Sequence, residues 1–171
     1  MIEARIAKIV MVACLATFAF IVTLDNLIDY GTNFEFVRHV LSMDTTFPGN
    51  ELLYRRLTSP ALWNAAYCLI IFGEGLTALS LGIAAIALLR NLRASAPRFN
   101  RAKGFLFIGA TLGFLVWFLG FMVVGGEWFE MWQSSNWNGQ QAAFRFYLTI
   151  LAVLIFVNQT DGNIATQENR E

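Results

Sequence analysis

The sequence predicts an all-α membrane protein with four transmembrane helices, and two observations carry this prediction. Charged residues make up 14% of the 171 residues, whereas roughly 25% are charged in soluble domains. The charges are also unevenly distributed, because long apolar stretches contain one charge or none. A transmembrane helix needs about 20 mostly apolar residues. We therefore predict helices at about 6–26, 60–89, 104–125 and 141–157.

The first predicted helix rests on the charge-free run 9–24, which Ile6 and the apolar stem of Lys8 extend. A lysine in this position can direct its ammonium group back to water. No small-residue cleavage site follows the run, so we expect an uncleaved anchor and not a signal peptide. The second helix begins at Pro60, where the missing N–H of proline costs nothing. Its one charge is Glu74.

The third predicted helix is the strongest of the four. Residues 104–126 carry no charge and are apolar on every side, whereas a surface helix of a soluble protein shows a polar face. This run weighs most against the alternative of a soluble helical bundle. The fourth helix carries Arg145 near its start, and we expect its guanidinium to reach outward to Glu127, Glu130 or a lipid phosphate.

Basic residues predict the orientation, because short loops rich in Lys and Arg stay in the cytoplasm. The loop 90–103 contains five basic residues and no acid, whereas 126–141 contains two acids and no base. We expect both termini inside, the other end in the periplasm, and the membrane to be a bacterial inner membrane. The basic loop is expected to meet anionic lipid and not nucleic acid. The polar tail 158–171 is expected to be disordered.

Two outer segments are predicted to face the periplasm. Apolar residues at helical spacing within 34–43 predict an amphipathic helix, so segment 27–59 is expected to form a small helical cap. The tryptophans of GGEWFEMWQSSNWNGQ (125–140) are expected at the membrane–water interface, with the two acids in water. Interfacial anchoring does not explain the many amides of this stretch, so partner binding stays open as an alternative. The residues expected at the interface or against a partner are His39, Asp44, Glu127, Trp128, Glu130, Trp132, Trp137 and Arg145.

Two long phrases carry a resemblance to a known family. DYGTNFEFVRHVLSMDTTFPGN (29–50) and GGEWFEMWQSSNWNGQQAAFRF (125–146) resemble the bacterial family catalogued as domain of unknown function 2165. Its members are described as predicted small integral membrane proteins, and the resemblance covers nearly the whole chain. It implies a four-helix inner-membrane protein without an assigned activity, and it supplies no catalytic residue.

Glu74 is the most informative titratable residue. A charged carboxylate in the middle of a bilayer costs about 2.5–3.5 kcal/mol on insertion scales, so we expect it to be neutral or paired. Trp117 lies at the same predicted depth on the third helix, and its indole N–H needs an acceptor. Two interpretations stay open: a site that binds a proton or ligand, or a carboxyl group that joins helices through a hydrogen bond.

Small residues predict where helices meet. Gly73 with Thr77, and Gly109 with Gly113, form pairs four residues apart that let helix backbones approach closely. We expect these pairs to pack the second helix against the third, and not to form a homodimer interface.

Catalytic and metal-binding patterns are lacking in the sequence. A single histidine and two cysteines in apolar runs do not supply the ligands of a zinc or haem site, so no cofactor is predicted. We favour a non-catalytic accessory subunit or adaptor of a larger inner-membrane complex, which docks through its cap and aromatic loop. The alternatives are a proton-linked transporter or channel centred on Glu74, and a quinone- or lipid-binding membrane anchor. Expected partners are membrane lipids and other membrane subunits.

Overall fold

The computed structural model describes residues 2–164. Within this range the chain forms six α-helices and no β-strand, which confirms the predicted all-α class. They are α1 (Ile2–Ile28), α2 (Tyr30–Ser42), α3 (Pro60–Arg90), α4 (Ala96–Arg101), α5 (Gly104–Phe114) and α6 (Gln140–Asn158). A π-helical segment, Leu115–Trp128, continues α5, and single 3-10 turns lie at Leu53–Arg55 and Met131–Gln133.

Four helical stretches in the described part of the chain are long and apolar enough to cross a membrane. They are Ile2–Ile28, Pro60–Arg90, Ala96–Trp128 and Gln140–Asn158. Their number agrees with the prediction, but each is longer than predicted, above all the third. The predicted ends were placed where polar residues begin. At the start of α1 the protein itself supplies the partners of a polar side chain, since Arg5 donates to Leu92 O and Ala94 O.

The surface of the bundle is apolar along its length. Each long helix exposes large apolar side chains, as illustrated by Ile28, Leu69, Leu119 and Ile155. Exposed apolar area of this extent is rare on soluble monomers, whereas in a bilayer it contacts lipid tails at no cost. The fold therefore fits an integral membrane protein.

The two ends of the bundle differ. We call the first the terminal end. There, the start of α1 and the chain that follows α6 lie beside the α3–α4 connection. Arg5 Nη1 donates to Leu92 O at 2.9 Å, and Arg5 Nη2 donates to Gly162 O at 2.9 Å. At the opposite end, the cap end, residues 29–59 and 127–139 pack over the helices. We call these residues the cap.

The cap is a packed unit and not a set of loose loops. α2 leads from α1 back along the cap-end part of α3, where the Tyr30 hydroxyl donates to Asn64 Oδ1 at 2.8 Å. Leu57 N donates to Leu41 O at 2.8 Å and fixes the segment that returns to α3. Buried apolar side chains of α2, α3 and the 127–139 loop, including Met131, form a small core.

The tail 158–171 was expected to be disordered, but the part of it that the structure describes is packed against the protein. Asn158 ends α6, and residues 159–164 run back along the terminal end, where Asp161 is only 8% exposed. This polar segment has too few apolar residues to build its own core, but Lys8 of α1 and Lys103, which directly precedes α5, hold it. The rest of the predicted disordered tail, 165–171, lies outside the described residues.

The predicted small residues lie where α3 meets α5 and its π-helical continuation. A Cβ built on Gly109 would lie 2.7 Å from Leu81 Cγ and 3.1 Å from Leu81 N. A Cβ on Gly113 would lie 3.2 Å from Thr77 Cγ2, and one on Gly73 would overlap a side chain of the π-helical segment. The structure thus places all four residues inside the bundle.

Replacing Gly109 by alanine is expected to destabilise the protein by about 1–3 kcal/mol, because the added Cβ approaches backbone as well as side-chain atoms of Leu81. Gly82→Ala is the matched control, since a Cβ there meets no atom within 4 Å and alanine favours the helix. Thermal unfolding in detergent should show a lower midpoint for Gly109→Ala alone. Equal midpoints for the two variants would contradict the close approach of α3 and α5.

Candidate functional site

A buried polar group joins α1 to α3. Glu74 is 2% exposed, and its Oε2 accepts a hydrogen bond of 2.7 Å from Asn26 Nδ2. The Tyr67 hydroxyl donates to the backbone oxygen and to the Oδ1 of Asn26, both at 3.2 Å. The side-chain amide of Asn26 is therefore hydrogen-bonded to two residues of α3: its nitrogen to Glu74 and its oxygen to Tyr67. The arrangement satisfies a carboxyl group that would otherwise be costly to bury.

The donor to Glu74 is thus Asn26 and not Trp117, which was the expected partner. Trp117 is buried among aromatic rings, with centroids 5.8 Å from Phe18 and 5.6 Å from Phe146. Equal depth on α3 and the third span does not take α1 into account. Glu74 lies midway along α3, about 21 Å from its start at Pro60, but its partner Asn26 lies in the last turn of α1, about 3 Å before the end of that helix.

A second buried polar group, which sequence reasoning missed, lies at the terminal end. Lys8 Nζ and Lys103 Nζ each donate to Asp161 Oδ2 at 2.7 Å, and all three side chains are at most 6% exposed. Both ammonium groups also donate to Gln159 O. With Arg5, these three residues form what we call the terminal-end cluster. Lys8 therefore does not direct its ammonium group to water, because Asp161 binds it inside the protein.

The charge environment of Asp161 follows from these contacts. Burial alone would raise the pKa of Asp161, but hydrogen bonds from Lys103 and Lys8 and the charges of both lysines outweigh it and lower the pKa. The carboxylate is therefore ionised in the folded protein at neutral pH. Asp161 lies in a polar tail with no regular pattern, and no local sequence signal identifies it as a partner of Lys8 and Lys103.

The predicted cap residues His39 and Asp44 lie together. His39 Nδ1 lies 2.8 Å from Asp44 Oδ1, and Arg38 Nε donates to Glu35 Oε2 at 2.7 Å on the same helix. The His39 ring stacks on Trp137 with 4.4 Å between centroids. This stack holds α2 against the loop that precedes α6, so the residues act as a link within the cap.

The aromatic loop, residues 127–139, also connects to the other part of the cap, residues 29–59, through amides. Glu130 accepts a hydrogen bond from Asn50 Nδ2, and Phe47 N donates to Gln133 Oε1 at 2.8 Å. Glu130 is 9% exposed, so the prediction that it stays in water is wrong; the amide of Asn50 replaces water as its partner. Glu127 is exposed.

Three further predicted residues lie on the surface. Trp128 is 52% exposed and Trp132 is 47% exposed, both at the cap end. Arg145 is exposed on α6, and within residues 2–164 it forms no ion pair with either acid of the aromatic loop. The structure therefore does not bring Arg145 together with the other predicted residues.

A cleft of about 500 Å³ opens on the side of the bundle towards the cap end. Its walls are α2, the cap-end half of α3, and the third span, mainly the π-helical segment of that span. Phe36, Leu69 and Leu119 are examples from the three walls. Every lining residue is apolar or glycine, and Glu74 is not among them. Departures from α-helical hydrogen bonding often mark functional sites. A lipid tail suits such a cleft better than water does.

In the described residues no three His, Cys, Asp or Glu side chains are placed to hold a metal ion, and Cys14 and Cys68 are free thiols. Glu74, His39 and Asp161 lie in three separate polar groups, and each is bound by neighbours within its own group. Their arrangement stabilises helix contacts, and the cleft and the cap surface are the features suited to binding.

Comparison with known proteins gives one family match. A family model described as a predicted small integral membrane protein matches residues 4–160. Neither the curated proteins nor the solved structures contain a match to the chain.

Proposed function

We propose that this chain, which belongs to the DUF2165 family of predicted small integral membrane proteins, is a non-catalytic accessory subunit or adaptor of a larger membrane complex. The family description names no activity, so the proposal rests on the geometry of the cap. The partner is another membrane protein, and the docking surface consists of Phe47 and of Trp132 on the aromatic loop.

The observation that carries the proposal is an exposed pair of aromatic rings with fixed geometry. Phe47 is 56% exposed and Trp132 is 47% exposed, and their rings meet edge to face with centroids 5.8 Å apart. The hydrogen bond from Phe47 N to Gln133 Oε1 holds the two segments together. Rigid, exposed aromatic side chains with adjacent amides are typical of residues that dominate binding energy at interfaces.

The distribution of charge supports an orientation with the cap in the periplasm of a bacterial inner membrane. In addition to the terminal-end cluster, the terminal end carries exposed arginines between α3 and α5, among them Arg93, Arg98 and Arg101. Short loops with this excess of basic residues stay in the cytoplasm. The cap surface would then meet periplasmic or outer-leaflet parts of the partner.

The proton-linked alternative has less support. Asn26 holds Glu74 between α1 and α3, and the carboxyl group does not line the cleft. We therefore propose that Glu74 joins helices and does not carry protons across the membrane.

Site-specific photocrosslinking in cells tests the docking surface. A photoreactive amino acid at Trp132 should form an adduct with one discrete protein, whereas the same amino acid at Leu148, an exposed residue of α6, should not form that adduct. Phe47→Ala should weaken copurification of the crosslinked protein at least tenfold in mild detergent, as expected for a dominant interface residue. Adducts with lipid alone at both positions would instead show that Trp132 only anchors the loop in the interface.

A further inference from the structure

We propose that the apolar cleft binds one acyl chain of an anionic phospholipid, and that Arg55 at its rim binds the phosphate group. The proposal concerns the cleft between α2, α3 and the π-helical segment. It is independent of the docking surface at Phe47 and Trp132.

The dimensions of the cleft suit a lipid tail. Its lining extends from Ala66 to Leu76 along α3, which corresponds to about 15 Å. Half of the hydrocarbon core of a bilayer is also about 15 Å thick, so the cleft is as long as the tails of one leaflet. Its volume is about 500 Å³, and its wall presents no charged, hydroxyl or amide side chain.

The cleft is accessible from the lipid side of the bundle. Three of its lining residues, Leu69, Phe72 and Leu115, are 70%, 62% and 47% exposed. An acyl chain could therefore enter sideways from the bilayer. The π-helical wall leaves this space beside α3 because its side chains do not follow the spacing that packs one α-helix into the grooves of another.

Arg55 lies beside the residue that ends one wall of the cleft. Val124 lines the cleft, and Trp128 ends the π-helical segment four residues later. The guanidinium carbon of Arg55 lies 4.6 Å from the centroid of the Trp128 ring and 5.6 Å from that of Tyr54. Arg55 thus contacts two aromatic rings just beyond the cap end of the cleft.

Arg55 has unused capacity to bind an anion. Of its five N–H donors, one makes a long hydrogen bond of 3.4 Å, from Nη1 to Trp128 O. In residues 2–164 the structure gives Arg55 no carboxylate partner, and its buried Nε has no hydrogen-bond partner. Arginine binds phosphate through paired N–H groups, which gives both geometry and affinity. An apolar cleft that ends at such a cation is complementary to an anionic phospholipid.

The test measures phospholipid binding by the full chain in detergent. Purified, delipidated protein is titrated with palmitoyl-oleoyl phosphatidylglycerol, and bound lipid is counted by native mass spectrometry. Wild-type protein should bind one lipid per chain saturably, and more tightly than phosphatidylethanolamine with the same tails. Arg55→Gln should weaken phosphatidylglycerol binding about tenfold and remove the preference, because one charge-assisted contact is lost. Arg56→Gln, at the exposed neighbouring position, should bind as the wild type does.

Two further variants test the cleft itself. Ala66→Phe places a ring inside the cleft and should abolish saturable binding, whereas Ala65→Phe, at the adjacent residue outside the lining, should not. If Ala66→Phe does not fold, Leu69→Trp at the exposed mouth tests the same point.

Three results would overturn the proposal. The first is unchanged phosphatidylglycerol binding when the cleft is filled. The second is equal loss of binding in Arg55→Gln and Arg56→Gln. The third is displacement of the lipid by decylubiquinone, whose headgroup is neutral, at equal concentrations in wild-type and Arg55→Gln protein; this would identify the cleft as a site for an uncharged quinone.

Discussion

Replacing Asp161 by asparagine is expected to lower the free energy of unfolding by about 3–5 kcal/mol, the largest effect of any single substitution considered. The carboxylate accepts hydrogen bonds from Lys8 and Lys103, and the variant leaves both buried ammonium groups without a counter-charge. Thermal unfolding in detergent, followed by circular dichroism, measures the change. Asp25→Asn, at an exposed carboxylate on α1, is the matched control and should have little effect.

Charge balance makes this prediction specific. In Asp161→Asn protein, the further change Lys8→Met removes one of the two uncompensated charges and should restore part of the lost stability. If Lys8→Met instead adds its own full cost to that of Asp161→Asn, the buried charges are not what holds the terminal end together.

The pH dependence has a defined sign. The pKa of Asp161 is lowered in the folded protein, so its contribution to stability is complete above the unfolded value of about 4 and is lost as the pH falls through the lower folded value. Wild-type protein should therefore lose stability on acidification below about pH 4 by more than Asp161→Asn does. Parallel acid profiles for the two proteins would exclude a role for this carboxylate.

Replacing Asn26 by leucine is expected to destabilise the protein by about 1–3 kcal/mol or more, because Glu74 then stays buried without its donor. Glu74→Gln should be tolerated, since its amide oxygen can still accept the hydrogen bond from Asn26. The double variant Asn26→Leu with Glu74→Leu should recover much of the loss, as both polar groups are then absent. Unfolding midpoints in detergent compare the three variants.

The same variants separate the two interpretations of Glu74. If Glu74 only joins helices, Glu74→Gln protein assembles and functions as the wild type does. A Glu74→Gln protein that folds normally but loses a proton-dependent activity would refute the structural interpretation. If Asn26→Leu leaves stability unchanged, the contact between α1 and α3 at this point is not the one described.

The sequence identified the four spans well, because hydrophobic length is a local property. It identified Glu74 for the same reason: a single acid in an apolar helix is conspicuous. Its partner Asn26 was not identified, since a polar residue at the predicted end of a helix also fits a position in water. The relative shift of α1 and α3 along their axes, which brings the two together, depends on side-chain packing over their whole length.

The terminal-end cluster and the cleft had no sequence signal. Lys8 and Lys103 are 153 and 58 residues from Asp161, so only the folded bundle brings them together. The cleft depends on a π-helical segment within a run that is apolar on every side. Such a run shows no periodicity that would distinguish π-helical from α-helical geometry. The small residues Gly109 and Gly113 were informative because close helix approach has a compositional requirement.

The most direct test of the central claim, that four helices cross the bilayer with the cap and the terminal end on opposite faces, is cysteine accessibility. In a background without Cys14 and Cys68, single cysteines replace the exposed Ser135 in the cap and Ser95 at the terminal end. In intact spheroplasts, a membrane-impermeant maleimide should label position 135 at once and position 95 only after the membrane is opened. Labelling of both positions from the same side of the membrane would contradict the account.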